Sequence, residues 1–64
     1  MRFKPKRNEI YYTITILEGE FKAVFFEWTC DDMDRGRYKV HNCFRTKGEV
    51  DKAIDKILKV LNKK

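Results

Sequence analysis

The sequence predicts a single α+β domain, a three-stranded antiparallel meander sheet with one C-terminal α-helix packed on one face, in the order βββα. Two observations predict it: apolar and polar side chains alternate in stretches between Ile10 and Phe44, and the last third of the chain has an apolar period of about 3.6 residues. The 64 residues carry a formal net charge of +5, with 42% hydrophobic and 39% charged residues. This composition is too apolar for a disordered tail and too charged for a membrane-spanning segment.

The N-terminal residues 1–9 are predicted to form a basic, flexible arm, and residues 10–64 a single folded domain. The arm has no apolar periodicity and holds four cations, Arg2, Lys4, Lys6 and Arg7. It does not lead into the apolar segment and cleavage site of a secretory signal. We therefore expect a soluble, cytoplasmic protein without a membrane partner.

Three strands are predicted in chain order. Ile10–Leu17 alternates as a half-buried strand does, and a short Gly-containing connection joins it to residues 21–30, which are rich in aromatic and branched side chains. Residues 31–36 form a polar sequence that ends in glycine and is interpreted as a turn. Residues 37–44 alternate again and are expected to add the third strand.

The C-terminal segment is predicted to be an amphipathic helix. Thr46 and Glu49 have the spacing of a capping box, in which the Thr46 hydroxyl accepts the Glu49 amide proton and the Glu49 carboxylate accepts the Thr46 amide proton. The apolar stripe that follows consists of Val50, Ala53, Ile54, Ile57, Leu58 and Leu61.

Side-chain alternation predicts which sheet face the helix covers. The even-numbered set is expected to face the helix: Ile10, Tyr12, Ile14, Ile16, Val24, Phe26, Trp28, Tyr38, Val40 and Phe44. The uncovered face would then carry Tyr11, Thr13, Thr15, Phe21, Ala23, Phe25, Glu27, Arg37, Lys39 and His41. A bulge in the second strand, or burial of this face in a homodimer, is left open as the alternative.

The two cysteines are expected to remain free thiols. In an antiparallel pair around the 31–36 turn, Cys30 and Cys43 would lie about 20 Å apart at a rise of about 3.3 Å per residue, too far for a disulfide. The same separation argues against a metal site formed by Cys30, His41 and Cys43.

Other polar groups are not expected to form a catalytic or metal site. The aspartates at 31, 32 and 34 lack the remaining ligands of a calcium loop and are interpreted as a solvated turn. His41 and Cys43 lie two residues apart, and we interpret them as a surface histidine near an inert thiol. We predict no catalytic residue, no metal and no cofactor.

The predicted function is nucleic-acid binding, with duplex DNA as the expected partner. Exposed aromatic side chains beside cations serve base stacking and phosphate contact. The candidate contacts are Arg2, Lys4, Lys6, Arg7, Thr13, Thr15, Arg37, Lys39 and His41. The alternative is a protein-binding module, such as an inhibitor of a host defence enzyme, with Tyr11, Phe21 and Phe25 as interface anchors.

A motif at the predicted strand-to-helix junction resembles a known DNA-binding architecture. The F-x-T-x-x-E-x-x-x-A spacing from Phe44 to Ala53, with the strand-strand-strand-helix order, resembles the plant Apetala-type DNA-binding domain and the N-terminal arm-binding domain of phage and transposon integrases. Those families lay the sheet in the DNA major groove. The resemblance implies contacts by Thr13, Thr15, Arg37 and Lys39, assigned by sheet face.

A second resemblance covers about half of the chain. Its residues are Trp28, Asp31, Asp34, Arg37, Tyr38, Asn42, Cys43, Phe44, Thr46, Lys47 and Glu49. In this pattern the chain resembles small uncharacterised proteins of Gram-positive phages and prophages. The resemblance implies a mobile-element protein that acts in the host cytoplasm, by binding DNA or by blocking a host factor. The three strands and lysine-bearing helix are also similar to the end of the double-stranded-RNA-binding domain.

Overall fold

The computed structural model describes residues 3–62 and shows an α+β fold with a two-stranded antiparallel sheet and two helices. The elements are β1 (Ile10–Leu17), β2 (Glu20–Glu27), α1 (Asp32–Lys39) and α2 (Lys47–Asn62). The first hairpin and the C-terminal helix are therefore as predicted. The βββα order is wrong, because a helix stands where the third strand was expected.

A two-residue turn sets the register of the hairpin. Glu18 and Gly19 have φ values of 52° and 78°, and positive φ at both central positions is what a type I′ turn requires. Leu17 consequently pairs with Glu20, and Ile16 with Phe21. Even-numbered residues of β1 therefore share a face with odd-numbered residues of β2.

This register corrects the predicted core. Side-chain alternation predicts that even-numbered residues of both strands share one face, which a two-residue turn does not allow. In the structure Tyr11 and Thr13 are buried, at 0% and 1% exposure, whereas Ile10 and Ile16 are exposed. The predicted inward face of β1 is thus its more exposed face.

Helix α1 replaces residues 32–36 of the predicted turn and residues 37–39 at the start of the predicted third strand. Asp31 caps it, since the Asp31 carboxylate accepts the Asp34 amide proton at 2.8 Å. Asp32 and Asp34 lie in its first turn, with Arg37 and Lys39 in its last, the charge order that the helix dipole favours. Arg37, Lys39 and His41 therefore do not form the predicted basic row on a strand.

A remnant of the third strand lies along the edge of β1. Tyr12 and Phe44 exchange two backbone hydrogen bonds, each of 2.9 Å, and form an isolated antiparallel bridge. The Asn42 side chain extends this pairing: it accepts the Ile14 amide proton at 2.7 Å and donates to the Ile14 carbonyl at 3.0 Å.

One of the two hydrogen bonds of the capping box predicted for α2 is confirmed. The Thr46 hydroxyl accepts the Glu49 amide proton at 3.2 Å, but the Glu49 carboxylate accepts a proton from the Arg45 amide rather than from the Thr46 amide. The helix packs against both strands of the hairpin, and Val50 is fully buried. Neither described helix, within residues 3–62, is long and apolar enough to cross a membrane.

The core lies around Tyr11, Trp28 and Cys43, with Phe3, Phe26 and Tyr38 packed on it. The Tyr11 and Trp28 rings meet edge to face with centroids 5.8 Å apart. Cys30 is exposed and Cys43 is buried, and they form no disulfide bond.

Residues 3–9 pack against this core. The Asn8 amide donates to the Trp28 carbonyl at 2.8 Å, and the Trp28 amide donates to the Glu9 carbonyl at 2.9 Å. Pro5 is buried and Phe3 half-buried. The N-terminal segment thereby brings Lys4 close to Tyr38 near the end of α1.

Candidate functional site

Aromatic and charged side chains of the described residues meet at a cavity of about 340 Å³, called here the aromatic cavity. It is bounded by the N-terminal segment, the end of α1 and the start of α2. Its lining residues are Phe3, Tyr38, His41, Cys43, Phe44, Arg45 and Glu49. Three aromatic rings, a guanidinium, an imidazole and a carboxylate therefore meet in one place.

Two cations lie over rings of this cavity. The Arg45 guanidinium carbon is 4.5 Å from the centroid of the Phe3 ring, and Lys4 Nζ is 5.5 Å from the centroid of the Tyr38 ring. Both distances fall within the range of a cation–π contact. Because Lys4 and Arg45 are exposed, their charges are also available to an anion from solvent.

The position of His41 follows from how α1 ends. The His41 amide donates to the Tyr38 carbonyl at 3.0 Å, and the Asn42 amide donates to the Arg37 carbonyl at 2.8 Å. These are the two bonds of a Schellman motif, in which the first residue after the cap adopts the left-handed conformation. His41 has φ of 65° and occupies the place that glycine usually takes.

Beside the cavity, Asp34 forms a buried polar network. Its carboxylate accepts protons from the Tyr11 hydroxyl, from the Thr29 amide at 2.7 Å and from the Thr29 hydroxyl at 3.2 Å. Arg37 Nη1 donates to Tyr11 Oη at 2.9 Å and to Asp34 Oδ1 at 3.2 Å. The Arg37 guanidinium carbon also lies 3.8 Å from the centroid of the Phe26 ring.

Burial and hydrogen bonding shift the pKa values in this network in opposite directions. Burial, followed by the hydrogen bond to Asp34, raises the pKa of Tyr11 to about 12. Burial alone would raise the pKa of Asp34, but the bonds from Tyr11 and Thr29 outweigh it and hold that pKa below its usual value. The network therefore contains an ionised carboxylate and a neutral phenol at neutral pH, and it holds α1 on the hairpin.

The predicted nucleic-acid contacts are placed in different environments. Exposed at the surface are Lys4, Lys6, Arg7, Lys39 and His41. Thr15 is half-buried and Thr13 is buried, and Arg37 is half-buried within the Asp34 network. Arg2 lies outside the described residues. The structure thus brings Lys4 and His41 together at the aromatic cavity and does not bring Thr13, Arg37 and Lys39 together on a sheet face.

The predicted protein-interface anchors are also divided. Tyr11 is buried in the core, Phe21 is half-buried, and Phe25 is 64% exposed. Register places Phe25 opposite Tyr12 and Phe21 opposite Ile16, so that Phe21 and Phe25 share a face and Tyr11 lies on the other.

Of the residues that line the cavity, only His41 is among the contacts predicted from sequence; the others are Phe3, Tyr38, Cys43, Phe44, Arg45 and Glu49. Phe3 stands between cations in a segment interpreted as an arm, and Tyr38 was assigned to the sheet core. The sequence contains two pairs in which an aromatic residue stands next to a cation, Phe3 with Lys4 and Phe44 with Arg45, and such pairs can indicate a binding site. Bringing these pairs together required the contacts of residues 3–9 with the core.

Comparison of the chain with protein-family models, curated proteins and solved structures found no match. The resemblances to phage proteins and to DNA-binding domains therefore stay predictions.

Proposed function

We propose that the protein binds nucleic acid through the aromatic cavity and the cations around it. The observation that carries this proposal is that Lys4 and Arg45 each lie over an aromatic ring at the same cavity. Ring faces suit base stacking, and the adjacent cations suit phosphates. The chain's net charge of +5 supports the same class of partner.

The binding surface proposed here differs from the one predicted from sequence. Docking of a three-stranded sheet into a major groove lost its basis when residues 32–39 proved helical. The cavity instead combines residues of the N-terminal segment, of the C-terminal end of α1, of the connection between the helices and of the start of α2. Exposed cations that neighbour them in the chain, Lys6, Arg7 and Lys39, extend the positive surface.

Fluorescence polarisation with labelled DNA, between 50 and 200 mM salt, tests the proposal. Binding should weaken steeply with salt, because cations that contact phosphates release counterions. The double variant Lys4→Ala with Arg45→Ala should bind about tenfold more weakly, with a salt slope reduced by about 2.

A matched control removes the same charge from elsewhere. Lys52 and Lys56 are exposed on α2, and their joint replacement by alanine should change affinity less than about twofold. Equal losses in the two double variants would show that only net charge matters. Absence of binding to any DNA at 50 mM salt would end the proposal.

A second candidate function, association with another protein, is favoured by exposed apolar side chains on one sheet face. Ile10, Ile16 and Phe25 are 46%, 65% and 64% exposed, and the hairpin register places them on the same side. A homodimer through this face would show as a mass increase in sedimentation equilibrium at rising concentration. Phe25→Lys should then restore the monomer, whereas a concentration-independent monomer mass would argue against it.

A further inference from the structure

Resting on the proposed function, we infer that the aromatic cavity holds a single unstacked base, so that the protein prefers single-stranded to duplex nucleic acid. The size of the cavity, the charge of its lining and the presence of His41 in that lining support this preference.

The size of the cavity suits one base. At about 340 Å³ it lies at the small end of ligand pockets, which range over about 300–1,000 Å³. Its aromatic walls, Phe3, Tyr38 and Phe44, come from three separate segments of the chain. A base inside a duplex is stacked on both faces and paired along its Watson–Crick edge, so only an unstacked, unpaired base can present its face to such walls.

The charges of the lining indicate different positions for the base and for the phosphates. Glu49 lines the cavity, and its carboxylate accepts a hydrogen bond from the Arg45 amide at 3.4 Å. A carboxylate repels a phosphate but accepts hydrogen bonds from the N–H groups that the edge of a base displays. The phosphates on either side of the base would therefore contact the exposed Lys4 and Arg45.

His41 adopts the left-handed backbone conformation, as do Asn8, Glu18 and Cys30, and among these four residues it is the one that lines the cavity. A left-handed conformation costs a residue other than glycine free energy, and strain of this kind is concentrated at functional sites. Glycine would satisfy the same Schellman bonds without strain. The imidazole, however, lines the cavity and provides a flat ring and a hydrogen-bonding nitrogen at its edge.

The test compares a 12-nucleotide single strand with the duplex of the same sequence, by fluorescence polarisation at fixed salt. We expect the single strand to bind about tenfold more tightly, since stacking of one base on an aromatic ring is worth about that factor. Phe3→Leu should remove most of this preference. Phe25→Leu, which makes the same change on an exposed sheet residue, should leave the preference unchanged.

A second variant separates binding from folding. His41→Gly should unfold at the same temperature as the wild type or a higher one, and yet bind the single strand several-fold more weakly. Equal or tighter binding of the duplex, or identical effects of Phe3→Leu and Phe25→Leu, would overturn the inference and leave the proposed function standing. If neither the single strand nor the duplex binds, the proposed function itself is overturned.

Discussion

At the scale of single residues, Asp34 connects α1 to the hairpin. Asp34 is 2% exposed, and its carboxylate lies within hydrogen-bonding distance of Tyr11, Thr29 and Arg37. Because these bonds hold its pKa below the usual 3.8, the ionised form stabilises the fold above about pH 4. This contribution is lost as the pH falls through the lowered pKa. For Tyr11, the raised pKa gives a contribution that is present below pH 10 and lost as the pH rises towards about 12.

Replacing Tyr11 by phenylalanine tests the role of this network. The change removes one donor from a buried carboxylate and should lower the free energy of unfolding by about 1–3 kcal/mol at pH 7. The pKa of Asp34 should rise, and the deficit should be smaller at pH 3 than at pH 7, because the contribution of the ionised carboxylate is lost as the pH falls through its lowered pKa. Urea denaturation at the two pH values measures this difference in the free energy of unfolding. Tyr12→Phe removes a hydroxyl outside the network and serves as the control; a Tyr11→Phe deficit independent of pH would contradict the argument.

At the scale of elements, the sequence predicted the hairpin and α2 because their signals are local. The alternation in β1 and the Thr46 cap each need only neighbouring residues. The face assignment failed because parity across a hairpin depends on turn length, and the turn at Glu18 and Gly19 has two residues. Helix α1 was missed because Gly36 suggested a turn, while the cap formed by Asp31 resembled a solvated loop.

Gly36→Ala tests whether residues 32–39 are helical. No heavy atom lies within 4 Å of a Cβ placed at Gly36, outside its chain neighbours and the helix backbone, so alanine adds no clash. Alanine should raise the free energy of unfolding by about 0.8–1 kcal/mol, its advantage over glycine inside a helix. Gly19→Ala is the matched control: its surroundings are equally open, but φ of 78° should make the same change destabilising. Destabilisation by Gly36→Ala in thermal unfolding would argue for the originally predicted turn.

At the scale of the whole molecule, the aromatic cavity depends on segments that are distant in sequence. Phe3 supplies one wall, Tyr38 another and Arg45 a third, so a local pattern can indicate single aromatic–cation neighbours but not that these residues meet at one cavity. The N-terminal cations were predicted as partner contacts from charge alone, and a charge pattern carries no information on which rings they will lie beside. The contacts of Phe3 and Pro5 attach the charged N-terminal segment to the core. The same segment therefore contributes both to the stability of the fold and to the proposed binding surface.

Deletion of residues 1–5 tests this coupling. Loss of the half-buried Phe3 and the buried Pro5 should cost about 2 kcal/mol of folding free energy, since burying one large apolar side chain contributes about 1.5–3 kcal/mol. For a domain of this length the unfolding midpoint should fall by roughly 10 °C. Lys6→Ala with Arg7→Ala removes two neighbouring charges and leaves Phe3 and Pro5 in place, so its midpoint should change little. A shortened chain that binds DNA more weakly but unfolds at the wild-type temperature would mean that the arm acts through charge alone and does not build the cavity.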